Sequence, residues 1–180
     1  MPDTSVDVLT TRSVLIYVKD KEAALREFYR VLRPGGRVSI FEPVNVLMSD
    51  DPDRFSGYDI GPVAAAAGKV RTLYESVQLP GTDPMLDFDD RDLVRCASEA
   101  GFPEMHLELQ VTVTAAKEPV PWERFVAVSA NPLIPPIGEA LDRVLSPQES
   151  AVFTEHLRPL VESGTGLERS ALADLTAVKR

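Results

Sequence analysis

The sequence predicts an α/β fold that begins with a strand, a helix and a second strand close to the N-terminus. The first strand is indicated by a short apolar run suited to burial on both faces: Val6, Val8 and Leu9. The helix is indicated by apolar residues at helical spacing: Leu25, Phe28 and Leu32. Residues 38–41 predict the next strand. Two strands joined by one crossover helix indicate parallel pairing with a right-handed crossover.

Local signals define the ends of this first helix. Asp20 is a suitable N-cap, and Glu22 places negative charge in the first turn, where the helix dipole favours it. Pro34 cannot continue a helix, and Gly35 and Gly36 permit a tight reversal. The helix is therefore predicted over residues 21–32.

Two further helices are predicted in the middle of the chain. Residues 63–79 carry apolar side chains along one side of a helix. Asp89 then starts another helix, and Asp92 at its third position resembles a capping box. Gly101 stands where a left-handed C-cap is expected.

The second half of the chain contains two predicted strands separated by helices. Apolar and polar residues alternate strictly over residues 105–115, which predicts a strand with one buried and one solvent-facing side. Residues 170–179 predict the last strand. Between them, Ser146, Pro147 and Glu149 form a strong helix start. Pro159 should kink that helix, and Gly164 should end it.

Composition excludes several classes of protein. With 180 residues, 44% of them apolar, the chain is long enough for one soluble domain with a real core. Its net charge of −9 argues against unaided nucleic-acid binding, which needs a basic surface. Cys96 is the only cysteine, so no intramolecular disulfide can form. No apolar run reaches membrane-spanning length and no N-terminal signal is recognisable, so we expect a cytoplasmic protein without a membrane partner.

Other motifs that carry chemistry are weak or absent. His106 and His156 lie on separate predicted elements without ligand spacing around them, so no metal site is expected. No nucleophile elbow and no Walker loop occurs. The glycines at 164 and 166 follow a predicted helix rather than a strand, so they indicate a helix end and not a phosphate loop.

Three stretches of the chain resemble one family. Residues 6–43, VDVLTTRSVLIYVKDKEAALREFYRVLRPGGRVSIFEP, resemble strands four to five of a class I, Rossmann-like S-adenosylmethionine-dependent methyltransferase. Residues 87–102, DFDDRDLVRCASEAGF, resemble the helix before strand six, and residues 170–179 resemble strand seven. The resemblance implies a partial methyltransferase sheet in the order four, five, seven, six.

The resemblance also implies a domain organisation. The chain is expected to form a single partial methyltransferase domain over residues 1–180. Two largely helical inserts, residues 44–88 and 117–168, are expected to form a substrate cap over the cofactor cleft. The alternative is that these helices only extend the core.

Candidate site residues follow from the same resemblance, because ligands bind at the carboxyl ends of the strands in such sheets. Thr11, Arg12 and Ser13 follow strand four, where family members contact the methionine part of S-adenosylmethionine. Glu42, at the end of strand five, and Tyr17 are expected on the side of the methyl acceptor. No catalytic residue is identified. The alternatives are that Arg12 forms a surface ion pair, that Glu42 caps a neighbouring helix and that Tyr17 belongs to the core.

The family also carries a glycine-rich cofactor loop and a ribose-binding acid on strands one and two. Only five residues precede the strand matched to strand four, so we expect that the isolated chain is not competent to transfer methyl groups. The expected function is methyl transfer to a small organic acceptor. The chain is then a truncated enzyme, half of a split enzyme or a non-catalytic partner. Its expected partners are a complementary N-terminal half or a second copy paired through the exposed edge of strand four.

Overall fold

The computed structural model describes residues 1–48, 51–79, 81–115, 118–129 and 132–180. The predicted start of the second insert, Lys117, lies outside these residues. The helices are α1 (Lys21–Val31), α2 (Ala64–Val77), α3 (Asp90–Glu99), α4 (Trp122–Val126), α5 (Ile137–Val144) and α6 (Pro147–Ser163). The strands are β1 (Val6–Arg12), β2 (Leu32–Pro43), β3 (Arg54–Phe55), β4 (Tyr58–Asp59), β5 (Met105–Thr114) and β6 (Glu168–Val178).

The main sheet has four strands in the order β1-β2-β6-β5. β1 and β2 are parallel, with Leu9 opposite Val38 and Thr11 opposite Ile40. β2 and β6 are antiparallel, with Ile40 opposite Leu175. The predicted α/β class and the predicted strand order four, five, seven, six are confirmed.

The first strand lies at one edge of this sheet, as the predicted strand order implies. Val6 and Leu9 are half-buried against the core, whereas the Val8 side chain is 62% exposed. The prediction that this strand is buried on both faces is therefore wrong. An apolar run indicates a strand but does not reveal which of its faces another element covers.

The second strand begins earlier than the sequence predicts. α1 ends at Val31, and Leu32 is already extended and paired with Val6. The next paired residue is Arg37, opposite Val8, so residues 33–36 loop out between two paired positions. Gly35 has a φ of +80°, which glycine adopts without strain, and its amide donates to the carbonyl of Lys179 (2.7 Å). Gly35 and Gly36 thus lie in an irregular part of β2, and not in a turn before the strand as the sequence predicts.

The caps predicted for α1 and α3 are present. The Asp20 side chain accepts a hydrogen bond from the amide of Ala23, and Asp89 with Asp92 forms a complete capping box. Gly101 has a φ of +106° just after α3. These two helices pack with the sheet around one core that includes fully buried Leu25.

The other edge strand, β5, is less buried than its pattern predicts. Met105 and Leu107 pack against the core, as expected for one buried side. Leu109, Val111 and Val113 are 38%, 55% and 57% exposed, so the expectation of a buried face fails for the second half of β5. Its edge position, which the family resemblance implies, is confirmed.

The chain divides into two compact units. The first comprises Met1–Ser49, Gly81–Val111 and Ser170–Arg180, and the second comprises Asp50–Pro80 and Thr112–Arg169. The second unit contains α2, α4, α5, α6 and the β3–β4 hairpin. That the inserts form a cap remains a prediction.

The core of the second unit is aromatic and aliphatic. Phe153 of α6 is fully buried and meets Phe55 edge-on, with ring centroids 5.6 Å apart. The predicted capping box of Ser146 and Glu149 is present, and Gly164 ends α6 in the left-handed conformation. α6 continues through Pro159, and the kink stays a prediction. Among the described residues, no helix is long and apolar enough to cross a membrane.

Candidate functional site

The candidate cofactor residues lie at the carboxyl end of β1, beside the matching end of β2. Thr11 and Arg12 are the last residues of β1 and stand opposite Ile40 and Phe41. Both strands run in the same direction, so their carboxyl ends meet at one edge of the sheet. Loops at this edge are where open α/β sheets bind ligands. The structure places these residues at that edge, and their contact with the cofactor stays a prediction.

Thr11 carries a buried hydroxyl oxygen that has no hydrogen-bond partner within the described part of the chain. Most buried polar atoms in folded proteins are paired, because an unpaired one loses its bonds to water without compensation. A polar ligand atom could pair with the Thr11 hydroxyl if that oxygen became accessible.

Arg12 has an available positive charge. Its guanidinium carbon lies 5.0 Å from the centre of the Phe41 ring, in a cation–π arrangement. No carboxylate of the described residues lies within ion-pair distance of it, so the alternative of a surface ion pair is not what the structure shows. A guanidinium held in this way suits recognition of a carboxylate.

Ser13 turns the chain sharply after β1. Its φ is +52°, a left-handed conformation that is unfavourable for residues other than glycine. Its amide donates to the carbonyl of Phe41 at 2.8 Å, which fixes the turn against β2. Residues of this kind persist when surrounding contacts determine their conformation, and they are concentrated at functional sites.

Glu42 is fully buried and binds backbone amides. Its Oε1 accepts from the amides of Val14 (2.9 Å) and Leu15 (3.0 Å), and its Oε2 accepts from Ile16 (3.1 Å). These amides begin a short 3₁₀ helix, Leu15–Tyr17, that has no cap from a local side chain. The structure therefore shows the alternative in which Glu42 caps a neighbouring helix. A direct contact with the methyl acceptor stays a prediction, and it would require this carboxylate to become accessible.

Tyr17 ends the same 3₁₀ helix and is 58% exposed, so it does not belong to the core. Its expected position on the acceptor side stays a prediction. The sequence did not identify the amides of Val14, Leu15 and Ile16 as part of this region. Their partner is up to 28 residues away along the chain, and no local pattern reports such a pairing.

A separate cavity of about 740 Å³ lies in the first unit but away from these residues. It is lined by Val8, Arg37, Ser39 and Thr176, among others. Val8 precedes the carboxyl end of β1 by four residues, and none of the candidate site residues lines this cavity. The described residues contain no group of three or more side chains arranged to hold a metal ion.

Comparisons with known proteins show which proteins the chain is similar to. Residues 1–40 match the family described as methyltransferase domain. This range contains β1, α1, the first part of β2 and the residues Thr11, Arg12 and Ser13. The chain is thus similar to class I S-adenosylmethionine-dependent methyltransferases. S-adenosylmethionine is the cofactor of that class.

Individual relatives agree with this class. The ubiquinone/menaquinone biosynthesis C-methyltransferase UbiE of Pectobacterium atrosepticum is 36% identical over 113 residues, covering 58% of this chain and 42% of that protein. Phosphoethanolamine N-methyltransferase 3 of Arabidopsis thaliana is 33% identical over 75 residues, covering 39% of this chain and 15% of that protein. The chain thus spans less than half of the length of these relatives.

A solved structure was also compared with the chain. Phosphoethanolamine N-methyltransferase 2 of Haemonchus contortus, in complex with S-adenosyl-L-methionine, aligns with a TM-score of 0.43 at 16% identity. The alignment covers 99% of this chain and 34% of that chain.

Proposed function

We propose that the protein takes part in S-adenosylmethionine-dependent methyl transfer to a small organic acceptor. The main support for this proposal is that the residues matched to the methyltransferase family include the candidate cofactor residues. The matched residues 1–40 contain the strand whose carboxyl end presents Thr11, Arg12 and Ser13. The relatives named above support methyl transfer as the class of reaction.

The residues at this edge fit the methionine end of the cofactor. That end carries a carboxylate and an amino group. The guanidinium of Arg12 suits the carboxylate, and the unpaired hydroxyl of Thr11 would suit either polar group once its buried oxygen became accessible. When bound, the cofactor supplies an electrophilic methyl group. The protein's part in such a transfer is to orient the two reactants and exclude water.

We further propose that these 180 residues bind the cofactor weakly when they are alone. No G-x-G-x-G sequence occurs in them, so no segment offers the glycine-rich loop that the family uses for the cofactor. A complementary segment that carries this loop would supply the remaining contacts.

Calorimetric titration with S-adenosylhomocysteine tests both proposals. The chain alone should bind more weakly than micromolar. Co-expression with a cofactor-binding half that contains a glycine-rich loop should restore binding and methyl transfer. In that reconstituted protein, Arg12→Ala should weaken binding about tenfold or more, because a hydrogen bond to a charged group contributes roughly 1.5–3 kcal/mol.

Arg37→Ala is the matched control, since Arg37 lies on the neighbouring strand opposite Val8 and away from the site. Equal losses in the two variants would remove Arg12 from the site. Micromolar binding by the chain alone would contradict the second proposal and would indicate a replacement for the glycine-rich loop.

The exposed edge of β1 also supports a proposal about assembly. An unpaired strand edge readily pairs with another chain, and between Val6 and Thr11 the one charged residue of this strand is Asp7, which forms an ion pair with Arg33. We propose that two copies, or a copy and a complementary half, pair along β1. Light scattering should show self-association of the parent and a shift to monomer in Val8→Lys.

Val152→Lys is the control, because Val152 is also exposed (50%) but lies on α6. A parent that stays monomeric at high concentration, with slowly exchanging β1 amides, would show that this edge is covered in another way.

A further inference from the structure

We propose that Glu42 is a positioning residue. Its carboxylate holds the turn segment (residues 13–16) and thereby fixes the backbone that presents Thr11 and Arg12. The proposal rests on the proposed function in one respect, which is that the residues held in this way lie beside the cofactor.

The contacts converge on one carboxylate. Three consecutive amides, those of Val14, Leu15 and Ile16, donate to its two oxygens. Glu42 has no ion-pair partner among the described residues, so these amides are the groups that bind its carboxylate directly, and the charge of Lys21 also interacts with it. Removal of the carboxylate leaves these amides without their acceptor in a site where water does not readily replace it, which is why the removal should have a large effect.

A second anchor acts on the same turn segment. The amide of Ser13 donates to the carbonyl of Phe41, the residue just before Glu42. Two adjacent residues of β2 therefore hold four adjacent residues of the turn segment. The left-handed φ of Ser13 is maintained by contacts on both of its sides rather than by its own preference.

The arrangement requires a carboxylate and not only a polar side chain. Glutamine has one acceptor oxygen and one donor nitrogen. Its oxygen can keep the bonds to Val14 and Leu15, but its amide nitrogen then faces the N–H of Ile16. Glu42→Gln should therefore lose the hydrogen bond from Ile16 and keep those from Val14 and Leu15.

Amide hydrogen exchange measured by NMR on the 180-residue chain, without cofactor, tests the proposal. In Glu42→Gln the Ile16 amide should exchange about tenfold faster, relative to Val14 and Leu15, than it does in the parent. In Glu42→Ala all three amides should exchange faster, and the backbone chemical shifts of Thr11, Arg12 and Ser13 should change.

Asp89→Ala is the matched control, because the Asp89 side chain accepts hydrogen bonds from two backbone amides at the start of α3 in the same unit. It should speed exchange at Arg91 and Asp92 and leave the turn segment unchanged. If Asp89→Ala alters the turn segment as much as the Glu42 variants do, the role of Glu42 is only general stabilisation. Should Glu42→Ala not fold, the selective change at Ile16 in Glu42→Gln decides, and its absence overturns the proposal.

The exchange result does not depend on the proposed function. If S-adenosylhomocysteine fails to bind even after reconstitution, the proposed function is wrong and the exchange data still report whether Glu42 holds the turn segment. If it binds and exchange is unaffected, only the positioning role is wrong.

Discussion

Two carboxylates of the first unit accept hydrogen bonds from backbone amides at the start of a helix. One lies next to those amides in the sequence, and the other lies far from them. Asp89 binds the amides of Arg91 and Asp92, two and three residues later (2.8 and 3.0 Å), and remains partly exposed. Glu42 binds three amides that lie 26 to 28 residues earlier, and it is fully buried. A local cap stabilises the helix that contains it, whereas the remote cap joins the ends of two strands.

The difference shows how one chemical interaction serves two purposes. Loss of the local cap leaves amides that water can reach, because α3 starts near the surface. Loss of the remote cap leaves buried amides without partners and releases the turn segment from β2. The energetic consequences should therefore be unequal even though the contacts are similar in length.

The largest expected effect separates the two carboxylates directly. Glu42→Ala should lower the free energy of unfolding by about 3 kcal/mol, because buried donors are left unpaired. Asp89→Ala should lower it by about 1 kcal/mol, which is typical of a lost N-cap. Urea denaturation of both variants measures these values. Equal losses would mean that water reaches the turn segment as easily as the start of α3.

The two caps also differ in how far the sequence reveals them. Asp89 and Asp92 stand three apart ahead of a helical pattern, so the capping box could be predicted and is confirmed. Glu42 could be placed at a strand end, but its partners depend on the register of β1 against β2. That register is a property of the assembled sheet, and no local pattern encodes it.

A second, smaller effect concerns the conformation that the remote cap maintains. Ser13→Val should lower the free energy of unfolding by about 1–2 kcal/mol, because a β-branched residue disfavours the left-handed region. Thr10→Val is the control, since Thr10 lies within β1, where valine is well accommodated, and should change stability by less than about 0.5 kcal/mol. Similar losses from both variants would show that the turn segment adapts freely.

The smallest expected effect concerns Lys21, a buried cation. It donates hydrogen bonds to backbone carbonyls, whereas Glu42 accepts them from backbone amides. The Lys21 ammonium donates to the carbonyls of Val18 (3.0 Å) and Pro84 (2.9 Å) and lies 4.5 Å from the Phe88 ring centre. Burial lowers the pKa of Lys21 from its usual value, and the nearby Asp87 offsets part of that shift. As the pH rises toward 10.5, the unfolded chain holds this proton more tightly than the folded chain does.

The contribution of Lys21 to stability should therefore increase with pH. Chemical denaturation of the parent and of Lys21→Met should be measured at several pH values. As the pH rises, the free energy of unfolding of the parent should increase relative to that of the variant. Lys19→Met, which removes an exposed lysine two residues earlier, controls for the change in net charge. If the free energy of unfolding of the variant instead increases relative to that of the parent, the lysine is not desolvated.

The exposed faces of the edge strands mark a further limit of sequence reasoning. Apolar runs and alternation correctly predicted β1 and β5 as strands. They also predicted buried faces, yet Val8 and Val111 are largely exposed. Periodicity reports how side chains alternate along a strand, while burial depends on what packs against that strand, which the pattern does not contain.

The position of β6 has a consequence for how the chain folds. β6 lies between β2 and β5 in the sheet although it follows both of them in the sequence. During synthesis the first unit cannot complete its sheet until β6 has left the ribosome, so β2 and β5 stay without this neighbour while the second segment of the second unit is made. Pairing of Arg37 with Val178 closes one of the longest loops in the chain, which slows folding and favours association of incomplete chains.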